Sequence, residues 1–206
     1  MRARIAGLLA GAAALAVGGK VFAAIMGAAI GTTSQPTTLF GITYTPFNAD
    51  GSAESSLVST VQAPSGDFIT FDAARTHDIV PSTWATWSNG YTGDVYYDAP
   101  QSLTITLPAQ TNGFYFYAES SPFETFTFTA TTVNGPTLID PNINGASGAG
   151  GFVYWTTTGD FLSSITISAP IDFAVGEFGI SQVPEPTSVG ILAVAGMLLT
   201  RRSRKS

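Results

Sequence analysis

The chain has no cysteine. No disulfide staples it, and cysteine-based metal sites and cysteine nucleophiles are excluded. Basic residues are equally scarce where a domain would lie. Seven of the eight lysines and arginines sit near the two ends, and Arg75 is the only one between Thr32 and Gln182. That stretch carries 13 acidic residues, a net charge of −12 against −6 for the whole chain. With no basic patch for a phosphate backbone, nucleic-acid binding is excluded, and the compatible ligands are cations or neutral sugars. Helical periodicity with a charged face is absent from the same stretch. Histidine occurs once, as His77.

What is present alternates at a period of two. Phe40, Ile42 and Tyr44 take every second place, as do Leu103, Ile105 and Leu107, then Phe126, Phe128 and Ala130, then Ile165 and Ile167. Threonine and serine fill the intervening places, which predicts half-buried strands with an uncharged wet face. Phe114 to Tyr117 and Phe152 to Trp155 are apolar or aromatic on both faces. They predict central strands, or strands whose second face meets a loop or ligand. Phe173 to Ile180 predicts a last strand, with Gly176 and Gly179 marking a bulge or close packing. Asn-Gly at Asn89, Asn112, Asn134 and Asn144, and Asp-Gly at Asp50, predict turns. The expectation is an all-β domain over 32–182, a single jelly-roll-like β-sandwich.

The two ends read as addresses. Arg2 and Arg4 precede an apolar run from Ile5 to Val17 and a small-residue site at Val21-Phe22-Ala23. This predicts a signal peptide over 1–23, with cleavage after Ala23 or as late as 31. At the other end, Val183-Pro184-Glu185-Pro186 breaks any helix or central strand. Residues 187–200 then form an uncharged run, and 201–206 carry Arg201, Arg202, Arg204 and Lys205. Val189 to Leu199 as a helix is about 20 Å long against a hydrocarbon core of about 30 Å, short for a permanent anchor. The basic tail is expected to stay cytoplasmic.

In these residues, 183–206, the chain closely resembles the PEP-CTERM sorting signal of bacterial exported proteins. The resemblance implies export through the Sec translocon and transient insertion of the C-terminal helix in the inner membrane. It also implies recognition by an exosortase and delivery to the cell surface or extracellular matrix, often alongside exopolysaccharide. Gly93-Asp94-Val95-Tyr96, Leu103 to Pro108, Phe114 to Glu119, Ser163 to Ile167 and Phe173 to Ile180 also resemble the bodies of many PEP-CTERM proteins. That implies an extracytoplasmic β domain without an established reaction.

Candidate chemistry inside the domain is sparse. His77 stands beside Asp78, but no Gly-x-Ser-x-Gly elbow accompanies it, so a solvated histidine or one paired with a carboxylate is expected. Glu119 and Glu124 flank Ser120-Ser121-Pro122-Phe123; a glycoside hydrolase would need them facing one cleft. Asp140 to Gly145 and Asn48 to Glu54 resemble the first half of a calcium loop. Position twelve of the first is Gly151, so no metal site or cofactor is expected beyond, at most, one structural calcium. Exposed aromatics stack on sugar rings, which makes Trp84, Trp87, Tyr91 and Trp155 candidate glycan contacts. The resulting expectation is a non-enzymatic surface or matrix protein, with a glycan-binding module as the alternative and a hydrolase behind it.

Overall fold

A computed structural model describes residues 24–157 and 159–183. The expected signal peptide over 1–23, Pro184 to Pro186, the apolar run and the basic tail all lie outside the described residues. Among the described residues there is no α-helix, and no helix is long and apolar enough to cross a membrane. The fold is all-β, a large and nearly closed sandwich.

Twelve strands form one hydrogen-bonded sheet. They are β1 (Ile25–Gly31), β4 (Thr45–Pro46), β5 (Leu57–Gln62), β6 (Phe68–Ile79), β7 (Asp94–Ala99), β8 (Ser102–Thr106), β9 (Thr111–Ser120), β10 (Thr125–Thr132), β11 (Leu138–Asn144), β12 (Gly150–Thr156), β13 (Ser164–Ser168) and β14 (Phe173–Gln182). The order is β1-β12-β9-β14-β7-β6-β8-β13-β10-β11, with β4 on β14 and β5 on β6. β11 packs near β1 and β12, so the two ends of the path approach each other. A separate hairpin joins β2 (Thr38–Leu39) to β3 (Ile42–Thr43). Phe40 and Gly41, both at positive φ, make its two-residue turn.

β6 links the two halves. Thr70 and Phe71 pair with β8, whereas Thr76 to Ile79 pair with β7. Between the halves lies the main core, where Phe114, Phe116, Phe152, Phe173 and Phe178 meet Ile69, Leu103, Ile105, Phe128 and Ile165. Phe128 and Phe173 touch edge to face across it, with ring centroids 5.4 Å apart. The wet faces carry threonine as expected: Thr104 and Thr166 are register partners and share a hydroxyl contact of 2.9 Å.

The two-faced aromatic strands have a simple cause. Even-numbered residues of β9 fill the main core, while Tyr115 and Tyr117 point to the other face of the sheet. There a second core forms with Val153, Ala174 and Val95, roofed by Trp84, Trp87 and Val80 from the β6–β7 connection. The second face of these strands thus meets a loop.

Several expectations change. The apolar run after Ala23 contains strand β1, paired with β12 from Ile25↔Thr156 onward, so the sheet begins before residue 32. Asn112-Gly113 lies inside β9, and the bend before it falls at Gln110, φ +59. Phe40 belongs to a turn, so the Phe40–Tyr44 alternation is not one strand. Asp140 to Asn144 lie in β11, with Asp140 opposite Phe128, which removes the calcium-loop reading there.

Candidate functional site

The β6–β7 connection is pinned to the sheet by two indole–carboxylate pairs. Glu119 faces outward from β9; its Oε2 accepts from Trp84 Nε1 at 2.8 Å and its Oε1 from Thr86 Oγ1 at 2.6 Å. Glu177 accepts from Trp87 Nε1 at 2.9 Å. Its place depends on a bulge in β14. Phe173 and Val175 point into the main core, but after the register shift Phe178 and Ile180 do so. Glu177 sits in that shift at φ +52, which keeps its carboxyl off the apolar side. Burial pushes both carboxyls up to about 7, and their hydrogen bonds hold them only partly back.

This geometry corrects the hydrolase candidate pair. Glu119 is fully buried and bonded to Trp84 and Thr86, while Glu124 is exposed beyond the turn that follows β9. They share no cleft. It also corrects two of the glycan candidates, because Trp84 and Trp87 are 5% and 8% exposed and turn their polar edges inward. Trp155 is half-buried beneath Phe40, whose ring stacks on it at 4.1 Å and 7°. Trp87 and Tyr91 both line a shallow pocket under the β6–β7 connection, and Tyr91 also lines a deeper polar cleft on its other side. Phe40, half of it exposed, sits in the β2–β3 turn, where its alternation with Ile42 and Tyr44 predicts a strand.

That cleft has a volume of about 470 Å³. Tyr91 and the backbone of Gly90 and Gly93 form one wall, with Asn48, Asn89, Gln35 and Asp94 among its polar groups. The Tyr91 hydroxyl donates to the Asp94 carbonyl at 3.2 Å, which fixes the ring.

Behind Asp94 stands a cluster that the sequence did not bring together. His77 is fully buried on β6. Its Nε2 lies 2.8 Å from Asp94 Oδ1 and 3.8 Å from Asp50 Oδ1, and its Nδ1 lies 3.1 Å from the Ala53 carbonyl. Tyr96 donates to Asp50 Oδ2 at 2.6 Å. Burial lowers the His77 pKa, but the bonds to Asp94 and Ala53 and the two carboxylate charges outweigh it, so the net shift is upward. The partner of His77 is therefore Asp94 rather than the adjacent Asp78. Asp50 and Asp94 lie 27 and 17 residues from His77, too far for a local motif to bring the three together.

No protein-family model matches this chain. No characterised relative matches it either. Among solved structures, the chain has a remote likeness to TmCBM61, a structure solved in complex with β-1,4-galactotriose. The identity is 10%, covering 56% of this chain and 87% of the other, with a TM-score of 0.23. A likeness at that level carries no argument about this chain.

Proposed function

We propose that this is a non-enzymatic exported protein whose β-sandwich binds a neutral glycan in the cleft beside Tyr91. The observation that carries the reading is the lining of that cleft: a fixed aromatic ring with Asn48, Asn89 and Gln35 around it. Rings stack on the apolar faces of sugars, and amides bond their hydroxyls. The acidic domain repels anionic polymers and tolerates neutral ones. Trp155 under Phe40 is a second, shallower aromatic surface.

The jelly-roll reading rests on strand order. β7-β14-β9-β12 and β8-β13-β10-β11 are the two four-stranded halves, and each strand pairs antiparallel with its neighbours. Sorting rests on the resemblance at Val183 to Lys205. Val183 donates its last backbone bond to the Gln110 carbonyl, so Pro184-Glu185-Pro186 follows directly on the final strand. Since β1 starts at Ile25, cleavage of the leader after Ala23 keeps the sheet whole, whereas cleavage near Gly31 would remove an edge strand.

The test is to purify the mature protein from an exosortase-bearing host, measure its mass, and assay it against neutral polysaccharides. The expected form lacks Arg201 to Ser206 and binds at least one polysaccharide. Tyr91→Ala is expected to weaken that binding tenfold or more, about 1.4 kcal/mol. A mature chain still carrying Arg201 to Ser206 counts against sorting. An absence of binding to every polysaccharide counts against the glycan reading.

A further inference from the structure

We propose that Asp50, His77 and Asp94 form a binding site for a divalent cation of the zinc class, placed at the edge of the Tyr91 cleft. The proposal does not depend on the glycan reading. The three side chains come from three separate places: the loop before β5, strand β6 and the first residue of β7. Each has one polar atom held from outside and another facing the other two side chains; Asp50 Oδ1 also accepts from the Ser52 amide at 2.6 Å, and His77 Nε2 and Asp94 Oδ1 bond each other at 2.8 Å. His77 Nδ1 lies on the Ala53 carbonyl, leaving Nε2 inward. Asp50 Oδ2 is held by the Tyr96 hydroxyl, and Asp94 Oδ2 accepts from the Asp50 amide at 2.9 Å. This is the outer-shell arrangement that orients imidazole and carboxylate ligands around a metal.

The inward atoms are His77 Nε2, Asp50 Oδ1 and Asp94 Oδ1, all within 4.8 Å of one another. Two ligands at about 2.0–2.2 Å from zinc in tetrahedral geometry lie about 3.4 Å apart. The separations from Nε2, 2.8 and 3.8 Å, bracket that value. One imidazole nitrogen and two carboxylate oxygens suit a borderline cation better than calcium, which takes six or more oxygens. Asp94 also lines the cleft, so a fourth position can be filled from solvent.

Charge supplies an independent reason. The two carboxylates are only 6% and 12% exposed. Buried acids of this kind are paired or bind metal. Arg75 is the only lysine or arginine from residue 24 to 183, and its guanidinium is engaged elsewhere, on Asp72 and the Asp98 carbonyl. His77, 2.8 and 3.8 Å away, is the only side chain of the described residues that can bring positive charge to the pair, and it brings one charge against two; a divalent cation supplies both.

His77 is the only histidine of the 206 residues, so its ring nitrogens report on the site without any variant. The full chain, purified in detergent without a histidine tag and stripped with chelator, is titrated with zinc chloride while ring ¹⁵N resonances are recorded. One equivalent is expected to shift the Nε2 resonance and raise the thermal midpoint, and Asp94→Asn is expected to lose both effects. Ring resonances that stay in place under excess zinc overturn the proposal. So does a folded Asp94→Asn variant that takes up zinc as wild type does, or calcium that raises the midpoint and abolishes the zinc shift. If Asp94→Asn fails to fold, the wild-type ring spectrum alone decides.

Discussion

Tyr115 and Tyr154 carry hydroxyls of opposite standing. The Tyr154 hydroxyl donates to the Ala130 carbonyl at 2.6 Å, from β12 to β10. The Tyr115 hydroxyl, equally buried, has no partner among the described residues. An unmatched buried hydroxyl loses its hydration and gains nothing in return. Tyr154→Phe is therefore expected to destabilise by about 1–1.5 kcal/mol, and Tyr115→Phe to be neutral or stabilising by up to about 1 kcal/mol. Urea denaturation of both variants measures this; a larger loss at Tyr115 than at Tyr154 would refute it. The same scale explains why the tryptophans misled. Trp84 and Trp87 stand three apart in a polar stretch, which reads as exposure. Their partners, Glu119 and Glu177, are 35 and 90 residues away, and nothing local announces them.

Among the elements, β14 shows how one irregularity sets a site. The bulge moves core-facing parity from Phe173 and Val175 to Phe178 and Ile180, and frees Glu177 for Trp87. Gly179 completes the bulge, because a Cβ there would fall inside the ring of Tyr115. Gly179→Ala is expected to destabilise by about 1–3 kcal/mol through overpacking. A loss below about 0.5 kcal/mol in chemical denaturation would show that the ring moves aside without penalty. The glycines that mark this bulge were readable in the sequence, as were β8, β10, β13 and the two-faced strands, since their interiors are plain apolar alternation. β6 was not, because its buried positions include Arg75 and His77, residues that read as solvated. β1 was hidden for another reason: its apolar run continues the one that begins at Ile5.

For the molecule as a whole, the buried carboxyls set the response to pH. Glu119 and Glu177 are raised from 4.5 to about 7 by burial, so the folded state holds their protons more tightly than the unfolded chain does. Their contribution is fully present below pH 4.5 and is lost as pH rises through 7. Each is worth on the order of 3 kcal/mol. The thermal midpoint is expected to fall between pH 5 and pH 8, and Glu119→Gln with Glu177→Gln is expected to flatten that slope. A midpoint that rises over this range would contradict it. One more property belongs to the whole domain. From residue 24 to 183 the only peptide bond following a lysine or arginine is that of Arg75, a residue within the β5–β6 ladder and 5% exposed. Trypsin-like proteases have no foothold on the folded domain and must wait for it to open. Scarcity of positive charge thus doubles as armour against such proteases.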